Sequence, residues 1–130
     1  MDHRTPTEQR NLALVLKFFD EVLKPMDSSA VDRFVPPDYI QHSSLVANGA
    51  AGLKAFLDSE TAQWSKVVVD VRRSFVDGQH VIMQYHVRRS ADDPGLAVID
   101  IYRVDGDRIV EHWESVQPMP EKLPHGNGMF

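Results

Sequence analysis

The chain contains no cysteine, which excludes disulfides, thiolate nucleophiles and cysteine-ligated metals together. No apolar run approaches the roughly 18 to 20 residues of a membrane span, and the opening Met1-Asp2-His3-Arg4-Thr5-Pro6 lacks the apolar core of a secretory signal. An excess of positive charge is missing too: 14 Lys and Arg against 19 Asp and Glu leave a formal charge of −5. Phosphate binding needs a basic surface, so neither a nucleic-acid nor a membrane partner is expected. There is no internal repeat, low-complexity tract or linker. A cytoplasmic protein of one domain spanning residues 1–130 is therefore the expectation, with 42% apolar and 25% charged residues, an ordinary globular balance.

Thr5-Pro6-Thr7-Glu8 reads as a helix start, with Thr5 as N-cap, Pro6 in the first helical position and Glu8 closing a capping box. Leu12, Val15, Leu16, Phe19, Val22 and Leu23 then recur at helical spacing, predicting a helix over residues 6–24 that ends at Lys24-Pro25. A second, shorter helix is predicted over 28–35, stopped by Pro36-Pro37, and a third over 49–63, capped by Asn48 and slightly weakened by Gly52. From Val67 the texture changes to strand: residues 67–76, 79–89, 96–104 and 107–117, with Asp77-Gly78 and Asp105-Gly106 as hairpin turns. Helices first and an antiparallel meander after them predict an α+β domain, with helices covering one face of the sheet and an irregular tail over 118–130.

The last hairpin, Asp100 to Gln117, carries Asp100, Glu111, His112 and Glu114 in otherwise apolar strands. A sheet does not need ionisable groups there, and burying one unpaired is costly. Alternation puts Asp100 with Val98 and Tyr102, and His112 with Val110, Glu114 and Val116. A type I′ turn at Asp105-Gly106 would set Asp100 beside Glu111 and Trp113. A three-residue turn with a bulged Gly106 would set it beside Val110 and His112. One residue of register exchanges the whole constellation, and local chemistry leaves both open.

The run Asp100-Ile101-Tyr102-Arg103-Val104, Gly106, Arg108-Ile109-Val110-Glu111-His112-Trp113-Glu114 resembles the SnoaL-like polyketide cyclases, within the nuclear transport factor 2-like superfamily. Tyr39-Ile40-Gln41-His42 and Asn127-Gly128-Met129-Phe130 match the same pattern, as does the order of three helices before a curved sheet. The resemblance implies a cone-shaped α+β barrel around a deep apolar pocket. It also implies general acid/base chemistry, of aldol-cyclase or isomerase type, on a small apolar carbonyl compound without metal or cofactor. Asp100 falls at the acidic strand position, Gln84 and His86 at its companions on the neighbouring strand, and His112 and Glu114 on a pocket-lining last strand. By analogy this favours the bulged register. Ser43-Ser44, where the family usually has Asn-Pro, and Glu114, where it usually has Asp, depart from the pattern and bear on the substrate.

On this reading Asp100, His86 and His112 are the catalytic candidates, and Tyr39, His42, Gln84, Tyr102 and Glu114 the substrate-binding ones. Desolvation would raise the proton affinity of Asp100 toward neutrality, while the histidines orient it, relay a proton or donate to an enolate oxygen. Each histidine could equally be a bonded core residue, the tyrosines packing residues, and Glu114 an ion-pair partner of His112. Trp113, Glu111 and Arg103 fall on the opposite parity, the outer face through which a homodimer is expected. A metal held by His42, His86, His112 and Asp100 has suitable residue types but no supporting spacing. Two further readings stand beside the cyclase. One is a non-catalytic ligand-binding or dimerisation module. The other is an epoxide hydrolase using Asp100 and Glu114, for which only Arg88 has suitable parity.

Overall fold

The computed structural model describes residues 2–130. Helix α1 (Pro6–Phe18) begins with the expected capping box: Glu8 N–H donates to Thr5 Oγ1 at 3.1 Å and Thr5 N–H to Glu8 Oε1 at 2.9 Å. The other Glu8 oxygen accepts from Gly78 N–H at 3.0 Å, and Asn11 Nδ2 donates to Gly78 O at 3.0 Å, so the first turns of α1 also hold a hairpin turn in place. The helix continues not as α but as a π turn over Phe19–Leu23, with Lys24 N–H reaching back to Phe19 O. Adjacent Phe18 and Phe19 are both buried across this widened segment.

The second predicted helix forms as a 3-10 helix over Ser28–Arg33, with Asp27 accepting from Ser29 N–H at its start. Helix α2 (Gly49–Gln63) has the expected bounds. Its cap differs, because Asn48 Oδ1 accepts from Gln41 N–H instead of from the helix. The short strand β1 (Ile40–Gln41), not expected as a strand, pairs in parallel with the last one. β2 (Val68–Asp77), β3 (His80–Arg88), β4 (Leu96–Asp105) and β5 (Arg108–Pro118) follow as an antiparallel meander. The sheet order is β1-β5-β4-β3-β2. Curved but not closed as a barrel, the sheet packs its inner face against the helices in an α+β cone.

The last hairpin takes neither anticipated register. Asp105 pairs with Arg108, leaving Gly106-Asp107 as the two-residue loop; Gly106 has φ 63° and Asp107 is not left-handed, the type II′ rather than type I′ pattern. From that turn, unbroken pairing would place Asp100 opposite Trp113. A bulge at Val110, between the pairs Val104–Ile109 and Arg103–Glu111, restores the parity, so Asp100 stands opposite Glu114 and Tyr102 opposite His112. The expected division by face holds, but the bulge lies within β5 and not at Gly106. A matching shift at Arg72 bends β2. The inner face carries Val81, Met83, Tyr85 and Val87 from β3, and Val98, Asp100, Tyr102 and Val104 from β4, against Phe18, Phe19, Val22, Val31 and Leu57. The tail returns over the outer face, where the Phe130 ring lies 5.3 Å from His86 and 4.9 Å from the Arg72 guanidinium.

Candidate functional site

Asp100 is 0% exposed, and its carboxylate is the centre of a buried polar cluster. Oδ2 accepts two hydroxyls, from Tyr102 at 2.6 Å and Tyr85 at 2.8 Å. Oδ1 stands 3.2 Å from His112 Nε2 but off the line of a hydrogen bond, so by angle both atoms are unsatisfied although by distance they pair. The distance is the more informative quantity, because a small ring rotation restores the angle whereas nothing else is close enough to serve either atom. Behind His112, Nδ1 lies 2.7 Å from Gln41 Oε1, which also accepts from Ser43 N–H at 3.0 Å. That backbone donor identifies Oε1 as the carbonyl oxygen, so His112 Nδ1 must carry a proton. A histidine protonated there alone would aim a lone pair at the carboxylate. Tyr102 stacks on the imidazole at 4.6 Å between centroids, with Tyr39 at 6.5 Å on nearly parallel planes, fixing the ring.

Burial, and after it the negative charge of Asp100, pushes the hydroxyls of Tyr39, Tyr85 and Tyr102 well above the usual tyrosine range. They stay protonated, as Tyr85 and Tyr102, the two donors to Asp100, must.

Beside this cluster, between the sheet and the helices, lies a cavity of about 70 Å³. Leu23, Phe56, Leu57, Val98 and Val116 form apolar wall, and Tyr85, Glu114, Glu60 and Arg89 are the polar members. Asp100 does not line it. Two carboxyls reach the cavity: Glu60, and Glu114, which stands one cross-strand step from Asp100. Burial raises the pKa of Glu114, the charge of Asp100 raises it further, and the hydroxyl of Ser43, which donates to Glu114 Oε2, opposes the rise. Met26, also on the wall, holds φ 54°, a left-handed conformation rare for a side chain of its kind.

The structure brings together Asp100, Tyr102, His112, Tyr39 and Glu114. It does not bring Gln84, His86 or His42 to them. On β3 the inward set is Val81, Met83, Tyr85 and Val87, so Gln84 and His86 face outward. Gln84 accepts from the Arg73 guanidinium, and His86 Nε2 bonds Pro94 O at 2.8 Å. Arg88 shares that outward parity and is exposed. His42 follows the same alternation out of β1. It stacks on Trp113 at 5.1 Å and bonds Glu111 at 2.8 Å, while Arg103 holds the other Glu111 oxygen. Among the described residues no three His, Asp or Glu side chains converge as a metal cluster. Sequence reasoning missed Tyr85, Gln41 and the Glu60–Arg89 pair. For Tyr85 a signal existed: Val81, Met83, Tyr85 and Val87 form a more apolar alternating set than Ile82, Gln84, His86 and Arg88.

An open curved sheet capped by helices, with an acidic strand cluster beside an apolar cavity, defines the class. The SnoaL-like domain model matches residues 15–112, and the chain belongs to that family. The solved structures agree in fold. One from Jannaschia, named as a SnoaL-like polyketide cyclase, aligns with a TM-score of 0.74 at 20% identity, over 89% of this chain and 91% of that one. One from Kribbella flavida, named as a ketosteroid isomerase, aligns with a TM-score of 0.73 at 16% identity, over 91% and 85%. A steroid delta-isomerase from Pseudomonas aeruginosa aligns with a TM-score of 0.64 at 24% identity, over 89% and 85%. At these identities the likeness is one of fold. No curated protein matches the sequence, and among the described residues no helix is long and apolar enough to cross a membrane.

Proposed function

We propose that the protein is a cofactor-free lyase or isomerase acting on a small apolar carbonyl compound, with Glu114 as the group that exchanges a proton with the ligand. One observation carries this reading: on a largely apolar cavity wall Glu60 is paired with Arg89, whereas Glu114 reaches the cavity without a Lys or Arg partner, and burial together with Asp100 opposite raises its pKa. A base of that kind removes a proton α to a carbonyl, and the electron pair moves onto the carbonyl oxygen as an enolate. With a β,γ-unsaturated ketone the dienolate recovers the proton from Glu114 at the γ carbon, an isomerisation; otherwise the enolate attacks a second carbonyl, forming a C–C bond whose alkoxide takes the proton back from Glu114. Asp100, sealed beneath two tyrosines, serves as fixed negative charge that raises the proton affinity of Glu114. His112, 3.2 Å from Asp100, opposes part of that rise and holds the cluster to Gln41. Ser43 orients the Glu114 carboxyl.

The test is α-proton exchange of 2-heptanone in heavy water, followed by proton NMR. Wild type is expected to accelerate it, and Glu114→Gln to lose roughly 100-fold or more, the usual worth of a positioned general base. No acceleration by the wild type, or full rate in Glu114→Gln, refutes the assignment.

The complete burial of Asp100 favours a second reading, a ligand-binding module in which the cluster only stabilises the fold. It predicts saturable ketone binding, unchanged in Glu114→Gln, without exchange. We also propose self-association through the outer sheet face, where Ile40, Phe75 and Ile99 are 41%, 55% and 47% exposed. An Ile99→Lys protein is expected to sediment as a monomer where wild type sediments as a dimer.

A further inference from the structure

The cavity has a second polar feature that proton transfer does not use. Arg89, just past the end of β3, and Glu60, on the last turn of α2, both line it. Their contact is bidentate: Nε donates to Glu60 Oε2 at 2.8 Å and Nη2 to Oε1 at 2.7 Å. The side chains are only 27% and 11% exposed. Arg89 N–H is bound in turn by Asp93 Oδ2 at 2.9 Å, so the backbone that carries the guanidinium is held as well. With Nε and one Nη2 hydrogen committed to Glu60, Nη1 has no hydrogen-bond partner among the described residues. A guanidinium fixed in this way presents free donors from a rigid fork.

Two facts constrain what those donors bind. The first is position. Glu114 lies in the cross-strand row of Asp100 and Met83, and Arg89 lies six residues further along, just past the end of β3, with both side chains reaching into the same cavity of about 70 Å³. Arg89 and Glu114 therefore address opposite ends of the space. The second is charge. Glu60 and Glu114 line the cavity, Asp93 sits against Arg89, and Asp100 lies beneath Glu114; Arg89 is the cation that lines it, while His112 is buried against Asp100. Carboxylates outnumber cations, and a further anion would meet a negative potential in a low-dielectric site.

Resting on the reading of Glu114 above, we propose that Arg89 is the specificity-determining residue of the cavity. It donates Nη1 to an uncharged oxygen at the far end of the ligand, so the site selects neutral apolar compounds with two oxygen functions, a ketone at Glu114 and an ester or second carbonyl at Arg89. Their carboxylate counterparts are rejected. Glu60 is the positioning residue that aims the fork.

Three probes of matched length test this by titration calorimetry: methyl 6-oxoheptanoate, 6-oxoheptanoate and 2-heptanone. Wild type is expected to bind the keto ester about tenfold more tightly than 2-heptanone, the worth of one hydrogen bond to a charged donor, and to bind the keto acid more weakly than the ester. In Arg89→Met the advantage of ester over ketone disappears. Because that change leaves Glu60 without its partner, the double variant Glu60→Met/Arg89→Met, which replaces the pair with apolar side chains of similar volume, is measured beside it and is expected to lose the same advantage. The inference is overturned if wild type binds acid and ester alike, or if either variant keeps the preference for the ester. Exchange of 2-heptanone by the wild type is scored separately: its presence with no ester preference defeats the role of Arg89 alone. Its absence with all three probes unbound defeats the reading of Glu114 and this inference together.

Discussion

Removal of either hydroxyl that serves Asp100 tests the buried cluster without disturbing the packing around it. Tyr85→Phe keeps the ring that meets Phe19 edge-on at 5.1 Å, and Tyr102→Phe keeps the ring stacked on His112. Each deletes one hydrogen bond to a fully buried oxygen, at 2.8 Å and 2.6 Å. A hydrogen bond to a charged group contributes about 1.5 to 3 kcal/mol. For a domain of this size, between those that lose about 6 °C and about 3 °C per kcal/mol, this translates to roughly 6–12 °C in Tm. The double variant is expected to lose more than the sum of the singles, because either tyrosine alone still satisfies Oδ2, whereas removal of both leaves a buried carboxylate oxygen bare. Thermal unfolding followed by near-UV circular dichroism and calorimetry reads all three proteins. Single losses within about 1 °C, or a double variant no worse than the weaker single, would refute the claim that Asp100 depends on these donors.

Other consequences are as direct. Glu114 has its folded-state pKa raised, so the folded protein binds the extra proton between the unfolded and folded values; the contribution of Glu114 to stability is fully present below the unfolded value near 4.5 and is lost as pH rises through the folded one. Glu114→Gln should flatten that decline and unfold at a higher temperature than wild type at neutral pH, and a wild-type Tm rising over the same interval would contradict the sign. Gly52→Ala should destabilise despite alanine's better helix propensity, because its Cβ would lie 2.0 Å from Ala47 O; an unchanged or raised Tm would show that the loop gives way. Deletion of Val110 removes the bulged residue but keeps the pairs Val104–Ile109 and Arg103–Glu111, so His112 and Glu114 should stay on the inner face and unfolding should remain cooperative; loss of the cooperative transition would show that the sheet needs the bend as well as the register. Thr5→Ala should cost about 1 kcal/mol through loss of the capping box, visible as a lower urea midpoint at unchanged slope.

Local chemistry made much of the architecture legible. Thr5, Pro6 and Glu8 mark the start of α1 because capping is an interaction within one turn, and α2 has the bounds its apolar spacing predicts. The meander follows from strand propensity and the glycine turns. Where a feature depends on more distant residues, the reading from sequence stops. The 3-10 form over Ser28–Arg33, the π turn at Phe19 and the two-residue β1 are set by what packs on them, and Asn48 caps Gln41 instead of its helix because that strand lies within reach.

The candidate site divides in the same way. Asp100, His112, Glu114, Tyr102 and Tyr39 announce themselves as polar or ionisable groups in apolar strands. What each one does was decided by tertiary structure. Exclusion of Val110 from the ladder as a bulge keeps Asp100 and Glu114 on one face, and strand parity on β3 turns Gln84 and His86 away in favour of Tyr85. Depth then seals Asp100 and leaves Glu114 at the cavity wall, and the pairing of Glu60 with Arg89 joins residues 29 positions apart. Residue type and periodicity are properties of neighbours along the chain. Register, depth and partnership arise only when strands and helices from separate segments meet.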